Sequence, residues 1–147
     1  MPWDNATATP AAGGGRFLDG RWTAAESGGV PPSSMWYENP QAALYPSSEM
    51  ATVEIELDVH DSPTPVALWL MEADYPGQRK KRWAGFVDKA ESATGTCSLG
   101  VTLSARPYVV FCATAEPSHH ARFRLTLRGA DSTGVSFEPL LDSPPGH

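Results

Sequence analysis

Ala51-Thr52-Val53-Glu54-Ile55-Glu56-Leu57-Asp58-Val59-His60 is the stretch that decides the fold class. Val53, Ile55, Leu57 and Val59 alternate with Glu54, Glu56, Asp58 and His60, so the aliphatic side chains fall on one side of a pleated strand and the charges on the other. Working outward, the two-residue period continues almost throughout. Residues 65–72 are more continuously apolar, as a central strand would be, and are followed by a turn, Glu72-Ala73-Asp74-Tyr75-Pro76-Gly77. Segments 82–89, 95–103, 108–114 and 121–128 supply four more strands, and 16–23 and 41–45 complete a set of about eight. Residues 135–140 read as a last short edge strand, where Pro139 is tolerated. Many short strands with turn signals between them predict an all-β fold, a two-sheet antiparallel β-sandwich. Its core is expected to contain Trp22, Val53, Ile55, Leu57, Leu68, Phe86, Val110, Phe123, Leu125 and Leu127.

Composition agrees. A chain of 147 residues fits one domain, and 14 prolines with 13 glycines are too many for a helical bundle, while the 41% hydrophobic content is too high for disorder. The Ala-, Thr-, Pro- and Gly-rich residues 1–15 read as a flexible leader, 16–141 as the sandwich domain and 142–147 as a flexible tail. A net charge of −6 argues against nucleic acid as a partner, because phosphate binding rests on clustered Lys and Arg. No apolar run approaches a membrane span, and the N-terminus lacks a signal-peptide layout. The expected location is cytoplasmic, with peripheral membrane or cytoskeletal association in view of the basic run described below. In that compartment Cys97 and Cys112 stay reduced.

Two ordered motifs carry a family resemblance. The first is Gly20-Arg21-Trp22, then Ser27-Gly28-Gly29, then Met35-Trp36-Tyr37-Glu38-Asn39-Pro40-Gln41. The second is Arg106-Pro107-Tyr108-Val109-Val110-Phe111-Cys112-Ala113-Thr114-Ala115-Glu116-Pro117, with Phe123-Arg124-Leu125-Thr126-Leu127 after a polar loop. Together they resemble the opening and the closing hairpin of the third, C2-like domain of calpain-type cysteine proteases. The resemblance implies a β-sandwich that packs on protease domains, regulates them, and in the family is linked to calcium and phospholipid. The family's acidic loop after the Asn-Pro-Gln strand is missing, since only Ser47, Ser48, Glu49 and Met50 separate Tyr45-Pro46 from the next strand. A calcium response through that loop is therefore not implied.

Candidate chemistry is sparse. Neither Gly-Thr-Cys97-Ser-Leu nor Val-Phe-Cys112-Ala-Thr places a thiol at a helix N-terminus, as an activated cysteine needs, and Cys112 shares a strand face with Tyr108 and Val110. No catalytic residues are expected. His119 and His120 are adjacent in extended chain and point apart, which suits a solvated loop better than a metal site. Asp58, Asp61, Glu72 and Asp74, at strand ends, are the candidate oxygen ligands should calcium bind; no other cofactor is expected. The run Arg79-Lys80-Lys81-Arg82 reads as an exposed basic loop and is the candidate contact for a protein partner, for calpain-like protease domains or for an anionic phospholipid surface. Trp22, Trp36, Trp69 and Trp83 read as core packing rather than as a sugar-stacking platform. Glu54, Glu56 and Asp58 form an acidic stripe and Arg122, Arg124 and Arg128 a basic one, which pair if their strands are neighbours. The expected function is that of a non-catalytic regulatory or protein-interaction module; the alternative is a calcium- or phospholipid-responsive membrane-targeting module.

Overall fold

The alternation over 51–59 is realised as the spine of a sandwich. The computed structural model describes residues 3–4, 7–11, 14–22, 36, 39–59, 65–114 and 121–140. Within them the strands are β1 (Thr9–Pro10), β2 (Arg16–Trp22), β3 (Gln41–Pro46), β4 (Ala51–Val59), β5 (Val66–Glu72), β6 (Phe86–Ser92), β7 (Thr96–Leu103), β8 (Tyr108–Thr114), β9 (Ala121–Arg128) and β10 (Val135–Leu140). One five-stranded sheet has the order β1-β2-β9-β4-β7, and the other β10-β3-β8-β5-β6. Every pairing is antiparallel. The expected all-β architecture is the observed one, and 135–140 is indeed an edge strand.

Val53, Ile55 and Leu57 meet Leu68, Val110, Phe123, Leu125, Leu127 and Trp22 between the sheets, all of them buried. Cys112 joins Tyr108 and Val110 on the inward face of β8, as its spacing suggests. Removing water from these side chains contributes roughly 1.5–3 kcal/mol each. Leu125→Ala is accordingly expected to lower the unfolding free energy by about 2–5 kcal/mol in a urea titration. A loss below about 1 kcal/mol would mean that Leu125 leaves no lasting cavity.

Phe86 corrects the expected core. It is 50% exposed, because β6 starts four residues later than the pattern of 82–89 suggests. The delay has a local cause: Gly85 sits at φ 74° and its carbonyl accepts the Glu72 N–H at 2.8 Å. A Cβ on Gly85 would stand 3.1 Å from the Glu72 Cβ, so a glycine is needed before the chain can extend. The register of β5 and β6 then slips between Leu70 and Met71, opposite Val87. Phe86 consequently lies against Trp69 on the outside of the sheet, with ring centroids 5.9 Å apart.

The flexible leader expected over 1–15 is also corrected in part. β1 pairs with β2, and Trp3 is 3% exposed, bridged to Gly20, its ring edge-on to Phe123 at 5.4 Å and its Nε1 donating to the Gln41 carbonyl at 3.0 Å. One large indole outweighs the low apolar content around it. The expected tail, 142–147, lies outside the described residues.

The two charge stripes do meet. β4 and β9 are neighbours, with Glu54 opposite Arg128 and Asp58 opposite Arg124. Arg128 reaches Glu56 at 2.9 Å and Glu54 at 3.8 Å, whereas Arg124 turns to Asp19 on β2, at 2.8 Å, and lies over the Phe17 ring. Among the described residues no helix is long and apolar enough to cross a membrane.

Candidate interaction surface

The basic run does not stand free in solvent as its charge suggests. Gln41, at the start of β3 and fully buried, donates from Nε2 to the Lys80 carbonyl at 2.8 Å and accepts the Lys80 N–H on Oε1 at 2.6 Å. That two-point clasp draws Lys80 down onto the outer face of the second sheet, where the residue is 1% exposed. Its Nζ donates to Asp74 Oδ1 at 2.8 Å, and Arg82 reaches the same oxygen at 3.0 Å. The hydrogen bonds from Lys80 and then Arg82 hold the Asp74 carboxyl below its ordinary value. Arg79 donates to the Asn39 carbonyl at 3.2 Å. The reading of 79–82 as four exposed cations is thus corrected at Lys80: a buried ammonium is tolerated because a carboxylate and a fixed backbone await it. Lys81 and Arg82 remain on the surface.

Asn39 and Gln41 therefore have structural reasons for their identity. Buried Asn39 donates from Nδ2 to the Trp36 carbonyl at 2.8 Å, the Pro40 carbonyl accepts the Cys112 N–H at 3.1 Å, and Gln41 holds the loop. The sequence marked these residues only as part of a motif; Lys80, the partner of Gln41, lies 39 positions away.

What the clasped loop covers, and what it leaves open, is aromatic. Across the outer face of the second sheet Gln41, Phe111, Trp69 and Lys89 stand in register on neighbouring strands. Trp36, Ala67, Trp69, Met71 and Phe111 form a second buried cluster there. Trp83 closes it edge-on, 5.2 Å from Trp36 and 5.1 Å from Trp69. Trp22, Trp36 and Trp69 pack as expected, but Trp83 is 44% exposed. Phe86 also lies on the Trp69 ring, so Trp83 and Phe86 form an exposed aromatic pair at the start of β6, with the exposed Lys81 and Arg82 just ahead of Trp83 in the chain. Lys89 lies 5.1 Å from the Trp69 ring centroid.

The other candidates are scattered. Asp58 is opposite Thr96, whose hydroxyl donates to it at 2.8 Å, at the end of the sandwich where β6 turns into β7. Glu72 is opposite Tyr108 at the other end and is held by Arg106 at 2.5 Å. Asp74 is occupied by Lys80 and Arg82, and Asp61 lies outside the described residues. The three described candidates are not brought together, because strand length separates Asp58 from Glu72 and Asp74. Among the described residues no group of three or more His, Cys, Asp or Glu is gathered as a metal site would need. His60, His119 and His120 lie outside the described residues.

Both cysteines are buried and free. Burial pushes the Cys97 thiol up to about 11 and raises Cys112 well above the ordinary range. Neither is a thiolate at neutral pH, so neither is an activated nucleophile. The purified chain is expected to leave casein and calpain substrate peptides intact; cleavage abolished by Cys97→Ala or Cys112→Ala would contradict this.

No family model matches the chain. A calpain-like cysteine protease of Dictyostelium discoideum is 28% identical over 129 residues, 86% of this chain, and the chain spans only 20% of that protein's length. Among solved structures, a surface-associated copper-binding protein of Methylomicrobium album shares the fold at TM-score 0.55 and 9% identity, over 80% of this chain and 95% of its own. The pre-peptidase C-terminal domain of a Bacillus anthracis collagenase does so at TM-score 0.50 and 6% identity, over 78% and 89%. The Yersinia pseudotuberculosis-derived mitogen matches at TM-score 0.50 and 9% identity, over 87% and 95%. At such identities these three likenesses concern the fold alone.

Proposed function

We propose that this chain is a non-catalytic protein-interaction module of a calpain-like protein, of the third-domain, C2-like kind, which packs on protease domains and regulates them from the cytoplasmic side. The observation that carries the reading is the exposed pair of Trp83 and Phe86, both packed on Trp69, with exposed Lys81 and Arg82 just ahead of them in the chain. Trp, Phe and Arg are enriched in protein interfaces, and an aromatic anchor backed by a rigid, buried aromatic cluster gives up little conformational freedom on docking. The sequence similarity to a calpain-like protease and the buried, protonated thiols support a role as a companion to catalysis rather than its agent.

The test is a fluorescence-anisotropy titration of the labelled chain with the protease region of the Dictyostelium protein, produced without the matched segment. Binding weakened at least tenfold by Trp83→Ser with Phe86→Ser is expected, since truncated anchors typically cost more than about 1.4 kcal/mol. Equal affinity of the double variant, or no binding by the unaltered chain, would overturn the reading.

The same patch gives the membrane alternative a specific basis, because cations beside Trp and Phe suit an anionic lipid surface. Co-sedimentation with phosphatidylserine vesicles distinguishes the two. In the membrane reading association is electrostatic, falls as salt rises and falls again with Lys81→Ser and Arg82→Ser, with or without a calcium chelator. Lys80 is left intact in this variant because it is buried. Calcium is expected to leave the melting midpoint unchanged, since Glu72 and Asp74 are already engaged by cationic side chains. Vesicle binding that appears only with calcium would instead favour a calcium-responsive module.

A further inference from the structure

Four strands end the two sheets, β1 and β7 in one and β10 and β6 in the other. Exposed edges invite pairing with other chains, and proteins blunt them with proline, charge, irregular register or short length. Three of these edges are blunted. β1 is two residues long and ends in Pro10, β10 contains Pro139, and β6 carries the register slip together with Asp88, Lys89 and Glu91.

β7 has none of these devices. Its eight residues, Thr-Cys-Ser-Leu-Gly-Val-Thr-Leu, contain no charge and no proline, and they pair with β4 without a slip from Thr96 to Leu103. Among the described residues β7 bonds to no other strand. Thr96, Ser98, Gly100 and Thr102 are exposed on its outer face. A Cβ placed on Gly100 would meet nothing within 4 Å, so the face carries a notch there.

Behind the notch lies the acidic stripe of β4. Glu54 is opposite Gly100, Glu56 opposite Ser98 and Asp58 opposite Thr96. Arg128 serves both Glu54 and Glu56, and the neighbouring Arg124 is committed to Asp19. The strip behind the edge therefore keeps an excess of negative charge. Two copies joined through β7 would set two such strips three strand spacings apart, about 14 Å, and give neither a cationic partner.

We propose that the β7 edge receives an extended, basic segment of a partner protein as an added strand. A residue placed outside Gly100 sits about 10 Å, two strand spacings, from the Glu54 backbone. A Lys or Arg there passes over the bare Gly100 to the Glu54 carboxylate. Alternate residues of the segment are apolar and extend the cover over Val101 and Ala90, which are only partly buried. Backbone hydrogen bonds give such a strand its affinity, and the notch and the acidic strip give its selectivity. This site is separate from the Trp83–Phe86 patch.

The probes are a labelled peptide alternating Val with Arg and its counterpart with Glu in place of Arg, titrated by anisotropy and followed by amide hydrogen exchange. The Arg peptide is expected to bind and to slow exchange in β7; the Glu peptide is expected to bind at least tenfold more weakly. Glu54→Gln should weaken the Arg peptide several-fold, and Gly100→Lys, which fills the notch with a cation, should abolish binding without lowering the melting midpoint. Trp83→Ser with Phe86→Ser should leave this binding unchanged, which separates the site from the proposed protease-docking patch. No binding of the Arg peptide, equal binding of both peptides, or protection confined to β6 would overturn the proposal. So would a dimer in sedimentation that Gly100→Lys dissolves. Should Gly100→Lys fold poorly, Glu54→Gln and the exchange pattern still decide.

Discussion

Asp74→Ala is expected to lower the unfolding free energy by about 3 kcal/mol, the low end of the range for stripping one partner from a buried ion pair. Lys80 is 1% exposed and its Nζ bonds to the Asp74 carboxylate at 2.8 Å, so the variant leaves an ammonium with no counter-charge under the loop. The low end applies because the Asp74 side chain is itself 23% exposed and water can follow it inward. Arg82, bonded to the same oxygen, is largely exposed and adds little. Asp74→Ala combined with Lys80→Met should recover most of the loss, because an apolar side chain of similar length needs no partner.

The pH dependence follows from the lowered Asp74 carboxyl. A carboxyl whose folded value is depressed stabilises the fold fully above its unfolded value, near 3.8, and the contribution disappears as pH falls through the lower folded value. The unaltered chain and Asp74→Ala should therefore differ by a constant amount at neutral pH and converge in acid. Urea titrations at neutral and acid pH read this directly; a neutral-pH difference below about 1 kcal/mol would mean that Lys80 finds water without Asp74.

Trp3→Ala is expected to cost about 3–5 kcal/mol, a loss as large as that of a central core residue although the indole comes from the third position of the chain. Three kinds of contact are lost together. The ring packs edge-on to Phe123, Nε1 bonds to the Gln41 carbonyl, and the backbone bridge to Gly20 aligns Asp4, whose N–H bonds to the Asp19 carbonyl at 2.8 Å and whose carboxylate meets Arg21 at 2.5 Å. Trp3→Phe should restore much of the packing but not the hydrogen bond from Nε1 to the Gln41 carbonyl, and so recover only part of the loss. A thermal melt showing no change for Trp3→Ala would mean that residues 3–4 contribute no stability.

The aromatic patch and the β7 edge differ in how much of them the chain order reveals. Gly100 and the uncharged run around it can be read from residues 96–103, but that β7 ends its sheet depends on which strand follows β4. Trp83 and Phe86 look like core residues by composition and spacing. They stay outside because Gly85 delays β6 and the slip opposite Val87 turns the strand's first residues outward.

What the sequence determined alone are the properties fixed by near neighbours. The two-residue period over 51–59 sets the inward and outward faces of β4, because successive side chains of a strand point to opposite sides whatever lies beyond them. The same rule placed Cys112 beside Tyr108 and Val110, and Leu125 between Phe123 and Leu127. Tertiary structure alone decided the fate of residues whose partners are distant in the chain. Lys80 is buried because Gln41 and Asp74 converge on it, Trp3 is ordered because Phe123 and Gln41 receive it, and Arg124 bonds to Asp19 because β2 sets Asp19, 105 residues earlier in the chain, opposite it. A charge or an indole carries no local sign of such a partner: the cost of burying it is set by groups that only the closed sandwich brings within hydrogen-bond range.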